Sequence, residues 1–224
     1  MTKQDVKVRI EEIGIVPAIR ANSAADAVFA AQAVCNAGIP IAEVTMTIPG
    51  AIDVISELAK NNTSLIVGAG SVVDLDMAKR CVNAGAHFLT TTGLDLEIVR
   101  FAGEQNIGVF PGVLTPTEVM AAWKAGADLI KIFPCAQVGG PSYIRALRPP
   151  FPYIPLIASG GVNQQTAADF ILAGAIALGI GGALIPREAI DRRQDHWIAE
   201  LARRFLSMVK GARGHLQERK VVNG

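Results

Sequence analysis

The chain has 224 residues, 50% of them hydrophobic, and a formal net charge of +1 at pH 7. This composition excludes an intrinsically disordered chain and is sufficient for one large α/β domain with a sizeable core. The near-neutral charge argues against a basic surface for nucleic acid or membranes, so we expect neither kind of partner.

The N-terminal sequence MTKQDVKVRI lacks the apolar stretch of a signal peptide, and no apolar run approaches the roughly 20 residues of a membrane span. Cys35, Cys81 and Cys135 are odd in number and widely spaced, which favours reduced thiols over disulfides. The three histidines are isolated from one another, so they predict ordinary side chains and no metal site. We expect a cytoplasmic protein.

Short apolar, β-branched runs alternate with alanine-rich amphipathic stretches along the chain, as is typical of repeated βα units and a parallel sheet. The predicted strands are residues 15–19, 41–46, 65–69, 87–91, 108–110, 128–133, 156–158 and 177–180. The predicted helices are residues 23–37, 50–60, 74–84, 94–103, 115–125, 143–147, 164–172 and 194–210. Ser23, Asp74 and Thr115 are the expected N-caps.

An Ala-Gly pair recurs where predicted helices end and the next strand begins, and its glycines are Gly38, Gly85, Gly126 and Gly174. Glycine suits this position because it adopts the left-handed backbone that ends a helix. Eight strands within about 170 residues predict a compact single (β/α)8 TIM barrel of the α/β class. We expect one domain over residues 1–224, with a short N-terminal segment, the barrel at about 13–186 and a C-terminal helix at about 190–210. An open doubly wound sheet is the alternative, but no G-x-G-x-x-G follows the first strand.

The apolar run Asp128-Leu-Ile-Lys-Ile-Phe-Pro134 contains a single cation, Lys131. Side chains alternate along a strand, so Lys131 shares a face with Leu129 and Phe133. An ammonium in such a setting must find a partner, reach water or lose its proton, and a neutral lysine is a nucleophile. From this segment alone, the ordinary alternative is a lysine at a strand end whose head reaches water.

A carboxylate lies on the inward face of the second predicted strand. Alternation in Ile41-Ala-Glu-Val-Thr-Met-Thr47 directs Glu43 and Thr45 into the barrel and Val44 towards the helices. Glu43 and Lys131 would then project into one cavity, which is a common catalytic arrangement. The alternative is a structural acid held by backbone donors or by an arginine.

Polar residues and glycines gather where strands end, which is where TIM-barrel enzymes place their chemistry. Arg20 ends the first strand, and its planar fork suits a substrate carboxylate. Gly68-Ala-Gly-Ser71 ends the third and lets backbone approach a ligand, with the Ser71 hydroxyl beyond it. We interpret residues 110–113 as a tight turn.

Two glycine pairs follow the seventh and eighth strands, in Ser159-Gly160-Gly161 and in Gly181-Gly182. Exposed backbone N–H groups in such turns bind anions, and the loops after these two strands frequently hold phosphate in TIM barrels. The two pairs together indicate a phosphorylated ligand.

The chain resembles the class I aldolases that act on 2-dehydro-3-deoxy-6-phosphogluconate (KDPG) and 4-hydroxy-2-oxoglutarate (KHG). The matching motifs follow the family's order and spacing from about residue 10 to residue 186, and they are Glu43-Val-Thr45, Gly68-Ala-Gly-Ser-Val72, Phe110-Pro-Gly112, Lys131-Ile-Phe-Pro134, Ser159-Gly-Gly-Val162 and Ile180-Gly-Gly182. The resemblance implies a homotrimeric TIM barrel that needs no metal or other cofactor. It also implies reversible cleavage of a 2-keto-3-deoxy-6-phospho sugar acid to pyruvate and glyceraldehyde 3-phosphate.

By the same resemblance, Lys131 forms the Schiff base and Glu43 is the general acid and base. Ser71, Thr45 and Phe133 fall around the pyruvate unit and its carboxylate. The phosphate would lie at the turns formed by Ser159, Gly160, Gly161, Gly181 and Gly182.

Two positions depart from the family's usual pattern. Thr47 stands where the best-known KDPG aldolases carry an arginine, whereas Arg20 matches the branch acting on the galactonate epimer (KDPGal), as does the run Gly140-Pro-Ser-Tyr-Ile-Arg-Ala-Leu147. Ala183 replaces a serine that many relatives place near the phosphate. The epimer preference, the need for phosphate and the identity of the carboxylate clamp therefore stay open. The alternatives are cleavage of KDPGal or KHG, a phosphosugar isomerase or epimerase, and a barrel that only binds a ligand.

Overall fold

The computed structural model describes the backbone of residues 1–222 and the side chains of residues 1–218. Helices and strands alternate through that range. The helices are α1 (Lys3–Ile13), α2 (Ala24–Asn36), α3 (Ala51–Asn61), α4 (Leu75–Asn83), α5 (Leu96–Glu104), α6 (Pro116–Lys124), α7 (Pro141–Leu147), α8 (Ala167–Leu172), α9 (Arg187–Asp191) and α10 (Asp195–Val222), with a 3-10 turn at Ala136–Val138. The strands are β1 (Ile15–Ile19), β2 (Ile41–Thr45), β3 (Ile66–Val72), β4 (Phe88–Thr91), β5 (Gly108–Phe110), β6 (Gly112–Val113), β7 (Ile130–Ile132), β8 (Leu156–Ser159) and β9 (Ala177–Ile180).

All strand pairs are parallel, in the order β5-β4-β3-β2-β1-β9-β8-β7-β6. Only Pro111 separates β5 from β6, and its carbonyl accepts a hydrogen bond from the Lys131 N–H at 3.1 Å. The Val109 carbonyl likewise accepts from the Asp128 N–H at 3.1 Å. The two ends of the sheet are therefore one strand interrupted at a proline, which cannot donate to a ladder.

The predicted TIM barrel is confirmed, and the open doubly wound sheet is excluded by this closure. The interpretation of residues 110–113 as a tight turn was wrong, because Gly112 pairs with Lys131 across β6 and β7. An added Cβ at Gly112 would lie 2.6 Å from the Thr92 carbonyl oxygen, so only glycine lets this strand pass so close to its neighbour. The extent of the single domain over residues 1–224 stays a prediction.

Local signals placed most helix ends correctly. Ser23, Asp74 and Thr115 cap α2, α4 and α6 with side-chain acceptors, as predicted. Gly38, Gly85, Gly126 and Gly174 all have φ between 96° and 108°, the left-handed region expected of a helix stop.

Helix α1 lies where only a short N-terminal segment was predicted. Thr2 and Asp5 form a capping box at its start, and Gly14 with φ 74° ends it. Its apolar signal is weak, because Val6 and Ile10 are its only buried side chains. Helix α10 continues well beyond the predicted end at residue 210, and no helix in residues 1–222 is long and apolar enough to cross a membrane.

Inside the barrel, large aromatic side chains pack against glycines on the neighbouring strand. Phe88 on β4 stacks on Phe110 on β5 with ring centroids 5.1 Å apart. An added Cβ at Gly68 on β3 would lie 2.2 Å from the Phe88 ring, so glycine there leaves room for the ring. This packed layer fixes the inward faces of β3 and β4, on which the next layer towards the strand ends depends.

Candidate active site

Lys131 lies on β7 between Gly112 of β6 and Ile157 of β8, and only 7% of it is exposed. Its Nζ lies 3.7 Å from Glu43 Oε1 and donates to Thr90 Oγ1 at 3.2 Å. The same Nζ is 5.4 Å from the centroid of the Phe133 ring. The inward direction predicted for Lys131 and Phe133 is confirmed by these contacts, and the alternative of a lysine whose head reaches bulk water is wrong.

Glu43 on β2 is 4% exposed and faces Lys131. Breaking such a buried pair by removing one partner leaves an uncompensated charge, whereas apolar replacement of both residues is often harmless. Stability alone therefore gives little reason to keep the pair. A buried amine beside a carboxylate is suited to nucleophilic attack with proton transfer close by.

Glycine on β3 makes room for this carboxylate. An added Cβ at Gly70 would lie 2.3 Å from Glu43 Oε1 and 2.6 Å from Glu43 Cγ. The expectation that Gly68-Ala-Gly70 admits a ligand was wrong at both glycines, because the space beside them is taken by Phe88 and Glu43.

Thr45 is buried on the same strand as Glu43, and its hydroxyl donates to the Ile19 carbonyl at 2.8 Å. Thr45 Oγ1 also lies 3.0 Å from Thr47 Oγ1. The hydrogen of Thr45 is therefore committed to the backbone of β1, and the side chain ties β2 to β1 at the end of both strands.

Ser71 has φ 57°, in the left-handed region that a side chain seldom occupies, and it is half buried. The pairing of β3 with β4 shifts register between Ala69 and Val72, around this residue. A strained backbone persists only where the surrounding structure holds it in place, and such residues cluster at binding sites.

The first glycine turn packs against the chain that follows Lys131. Gly160 and Gly161 both have φ 85°, and an added Cβ on Gly161 would lie 2.3 Å from Ala136 Cβ. The Cys135 N–H donates to the Ser159 carbonyl at 2.8 Å. The turn is therefore fastened directly to the segment that continues from β7.

The second glycine pair lies across a cavity of about 270 Å³ from the first. Its lining includes both glycine turns and Arg20, whose Nη1 would lie 3.7 Å from an added Cβ on Gly181. Arg20 and Thr47 also line an adjoining cavity of about 370 Å³. Arg20 is exposed and borders both cavities.

The predicted site residues thus form two groups. Lys131, Glu43 and Phe133 meet inside the barrel, whereas Arg20, Ser159 and the glycine turns meet at its rim. Thr90 belongs to the inner group and was not among the predicted site residues, although alternation from Phe88 would have directed it inward. Within residues 1–222, no cluster of three or more His, Cys, Asp or Glu side chains is arranged to hold a metal ion.

Comparison with known proteins identifies relatives along most of the chain. Residues 6–201 match the family described as KDPG and KHG aldolase. The KHG/KDPG aldolase of Escherichia coli K12 is 31% identical over 200 residues, which are 89% of this chain and 92% of the relative. The crystal structure of the KDPG aldolase of Legionella pneumophila, with pyruvate captured as a covalent carbinolamine, has a TM-score of 0.82 at 28% identity and covers 88% of this chain and 95% of the other. A native KDPGal structure has a TM-score of 0.81, also at 28% identity with coverage of 88% and 95%.

Proposed function

Because the chain belongs to the KDPG and KHG aldolase family, we propose that it cleaves a 2-keto-3-deoxy-6-phospho sugar acid reversibly to pyruvate and glyceraldehyde 3-phosphate through a Schiff base at Lys131. The observation that carries the proposal is the buried contact of 3.7 Å between Lys131 Nζ and Glu43 Oε1. Family membership argues against the isomerase, the epimerase and the barrel that only binds a ligand.

The proposed reaction begins when the neutral Lys131 amine attacks the substrate keto carbon. The carbonyl π electrons move to oxygen, which takes a proton from solvent, and the nitrogen gives up a proton to the Glu43 carboxylate. The resulting carbinolamine loses its hydroxyl as water once protonated Glu43 returns a proton to it, which leaves an iminium.

The iminium accepts the electron pair of the C3–C4 bond as Glu43 removes the proton of the C4 hydroxyl. That hydroxyl carbon becomes the aldehyde, and the electron pair is held as an enamine on Lys131. Protonation of the enamine carbon and hydrolysis with one water then release pyruvate and the free lysine. The iminium itself serves as the electron sink, so this route uses neither a metal nor an organic cofactor.

The two groups of site residues suit the two ends of such a substrate. The inner group would face the pyruvate unit, with the Phe133 ring beside Lys131 as an apolar wall, and Ser71 and Thr45 are proposed to border the same end, where Thr45 ties β2 to β1. Ser159, Gly160, Gly161, Gly181 and Gly182 would receive the phosphate in the 270 Å³ cavity. Arg20 remains the proposed partner of a substrate anion. Because Arg20 lies beside Gly181, that anion is either the carboxylate or the phosphate of the substrate.

Reductive trapping tests the covalent step. Borohydride added with pyruvate should attach one reduced pyruvate unit to Lys131, identified by mass spectrometry of the peptide. The carbinolamine captured with pyruvate in the Legionella relative supports this expectation. Glu43→Gln should lower kcat by about 10²–10⁴-fold while the chain stays folded. An unmodified Lys131, or turnover unchanged in Glu43→Gln, would overturn the proposed mechanism.

Cleavage of KDPGal or KHG is the second candidate, supported by Arg20 at the end of β1 and by the likeness to the native KDPGal structure. Pyruvate release should be measured for KDPG, KDPGal, their unphosphorylated analogues and KHG. The ranking of kcat/KM assigns the substrate, and the ratio of phosphorylated to unphosphorylated rates shows what the turns contribute despite Ala183.

Two further properties belong to the proposal. The resemblance to the family supports a homotrimer, which sedimentation at equilibrium would test by a mass three times that of one 23.6 kDa chain. The free thiols of Cys35, Cys81 and Cys135 support a reducing compartment such as the cytoplasm.

A further inference from the structure

Thr90 supplies the nearest polar side-chain atom to the lysine amine among the described contacts. Its Oγ1 accepts a hydrogen bond from Lys131 Nζ at 3.2 Å, whereas Glu43 Oε1 lies at 3.7 Å. Thr90 is 1% exposed, and its face of β4 is fixed by Phe88, which stacks on Phe110. The branched side chain of threonine has few χ1 positions, so its hydroxyl is held where the amine meets it.

A neutral primary amine has two N–H groups and one lone pair, in roughly tetrahedral directions. Thr90 on β4 accepts a hydrogen bond from the amine at 3.2 Å, and the Glu43 carboxylate on β2, a separate strand, lies within ion-pair distance at 3.7 Å. With one N–H held by Thr90 and the other drawn towards the Glu43 carboxylate, the remaining direction belongs to the lone pair. An amine with only one acceptor would instead rotate about its last side-chain bond, and the lone pair would sample several directions.

We propose that Thr90 is a positioning residue for the Lys131 nucleophile: its hydroxyl holds one N–H of the neutral amine, the nearby Glu43 carboxylate attracts the other, and the lone pair is directed at the keto carbon. This assignment rests on the proposed Schiff-base function. The roles of the two acceptors differ, because a carboxylate accepts the proton that nitrogen releases, whereas a hydroxyl does not. Thr90 keeps its own hydrogen while the carbon–nitrogen bond forms and water leaves.

The next residue provides a matched control. Thr91 is also 1% exposed, but its hydroxyl accepts from the Gly112 N–H at 3.0 Å and donates to the Gly93 carbonyl. Thr91 therefore connects backbone segments. Replacing each threonine with valine removes one buried hydroxyl from neighbouring positions of one strand, at nearly constant volume.

The test compares Thr90→Val, Thr90→Ala, Thr90→Ser and Thr91→Val with the unmodified protein. The readouts are the rate of borohydride trapping with pyruvate, kcat and KM for cleavage, and the temperature of unfolding. We expect Thr90→Val and Thr90→Ala to lower both the trapping rate and kcat at least about tenfold, with KM changed less than about threefold. Thr90→Ser should stay within about threefold of the unmodified protein because it restores the acceptor.

Thr91→Val should unfold at a lower temperature because it leaves the Gly112 N–H without its acceptor, yet trap pyruvate at the unmodified rate. Trapping at the unmodified rate in Thr90→Val or Thr90→Ala would overturn the assignment of Thr90, as would Thr90→Ser as slow as those variants. Equal slowing in Thr91→Val would overturn it too, because the effect would then belong to the strand. Failure of the unmodified protein to trap pyruvate would instead overturn the proposed function itself, and these outcomes are distinguishable.

Discussion

At the scale of single residues, the site depends on glycines that leave space as much as on the side chains that occupy it. Lys131 and Glu43 could be predicted as a pair, because alternation gives the face each occupies on its own strand and the barrel directs both faces into one cavity. The roles of Gly70 and Thr90 depend on the register of β3 and β4 against other strands. That register arises from non-local pairing, which no single stretch of sequence encodes, so the glycine was assigned to a ligand and the contact of Thr90 with Lys131 could not be read from β4 alone.

Gly70→Ala provides a test at this scale. The new methyl group would lie 2.3 Å from Glu43 Oε1, so the carboxylate has to move away from Lys131. Misplacing a catalytic group by about 1 Å costs on the order of 10²-fold in rate. We expect kcat to fall by that order, measured by pyruvate release.

Gly103→Ala is the matched control for this substitution, because Gly103 lies in α5 and an added Cβ there meets no atom within 4 Å. It should keep full activity and gain about 0.5–1 kcal/mol of stability. Full activity in Gly70→Ala would show that Glu43 can act from another position.

At the scale of elements, the junction of β3 and β4 is held by a histidine at its start. The His87 N–H donates to the Val67 carbonyl at 2.7 Å, and His87 Nδ1 accepts from the Val67 N–H at 3.2 Å. Burial lowers the pKa of His87 below its ordinary value of 6.5. The isolated histidine was predicted to be an ordinary side chain, and its described contacts are of that kind, with two hydrogen bonds to one residue of the neighbouring strand.

This pKa shift predicts a pH dependence of stability. The folded protein takes up the proton less readily than the unfolded chain, so the free energy of unfolding should fall as the pH drops below about 6.5. Urea unfolding at pH 7.5 and 5.5 measures the loss, in a window above the pH at which most carboxylates titrate. His87→Gln should show a smaller loss between the two pH values. An equal loss in both proteins would assign the effect to other groups.

At the scale of the whole molecule, the repeated unit was readable because each helix stop and each buried strand carries its own local signal. The extents of the two terminal helices, α1 and α10, could not be read from local signals in this way. Helix α1 has a narrow apolar stripe, and the C-terminal half of α10 is joined to the barrel by contacts between distant positions. Arg213 donates to the carbonyls of Glu11 and Glu12 at 2.6 and 2.7 Å and to that of Ile176 at 2.8 Å. One side chain thus joins α1, α10 and the start of β9.

Arg213→Ala should therefore destabilise the molecule by about 2–4 kcal/mol, since three carbonyls lose a charged donor in a half-buried place. Arg203→Ala on the same helix is the control, because Arg203 is exposed and its ion-pair partner among the described residues is Glu200, its neighbour on the helix surface. That variant should change stability by about 0.5 kcal/mol or less. Chemical denaturation of both variants compares them directly, and equal effects would remove the special role of Arg213.

The position of α1 also determines where a tag, linker or solid support can be joined to the molecule. Lys3 pairs with Asp128, which precedes β7, and α1 ends beside Arg213, so the N-terminal helix lies where the strands begin. Arg20 and the glycine turns lie where the strands finish. A purification tag, a linker or a solid support joined ahead of Lys3 would leave the opposite opening facing the solution, and an immobilised enzyme would keep its substrate entrance unobstructed.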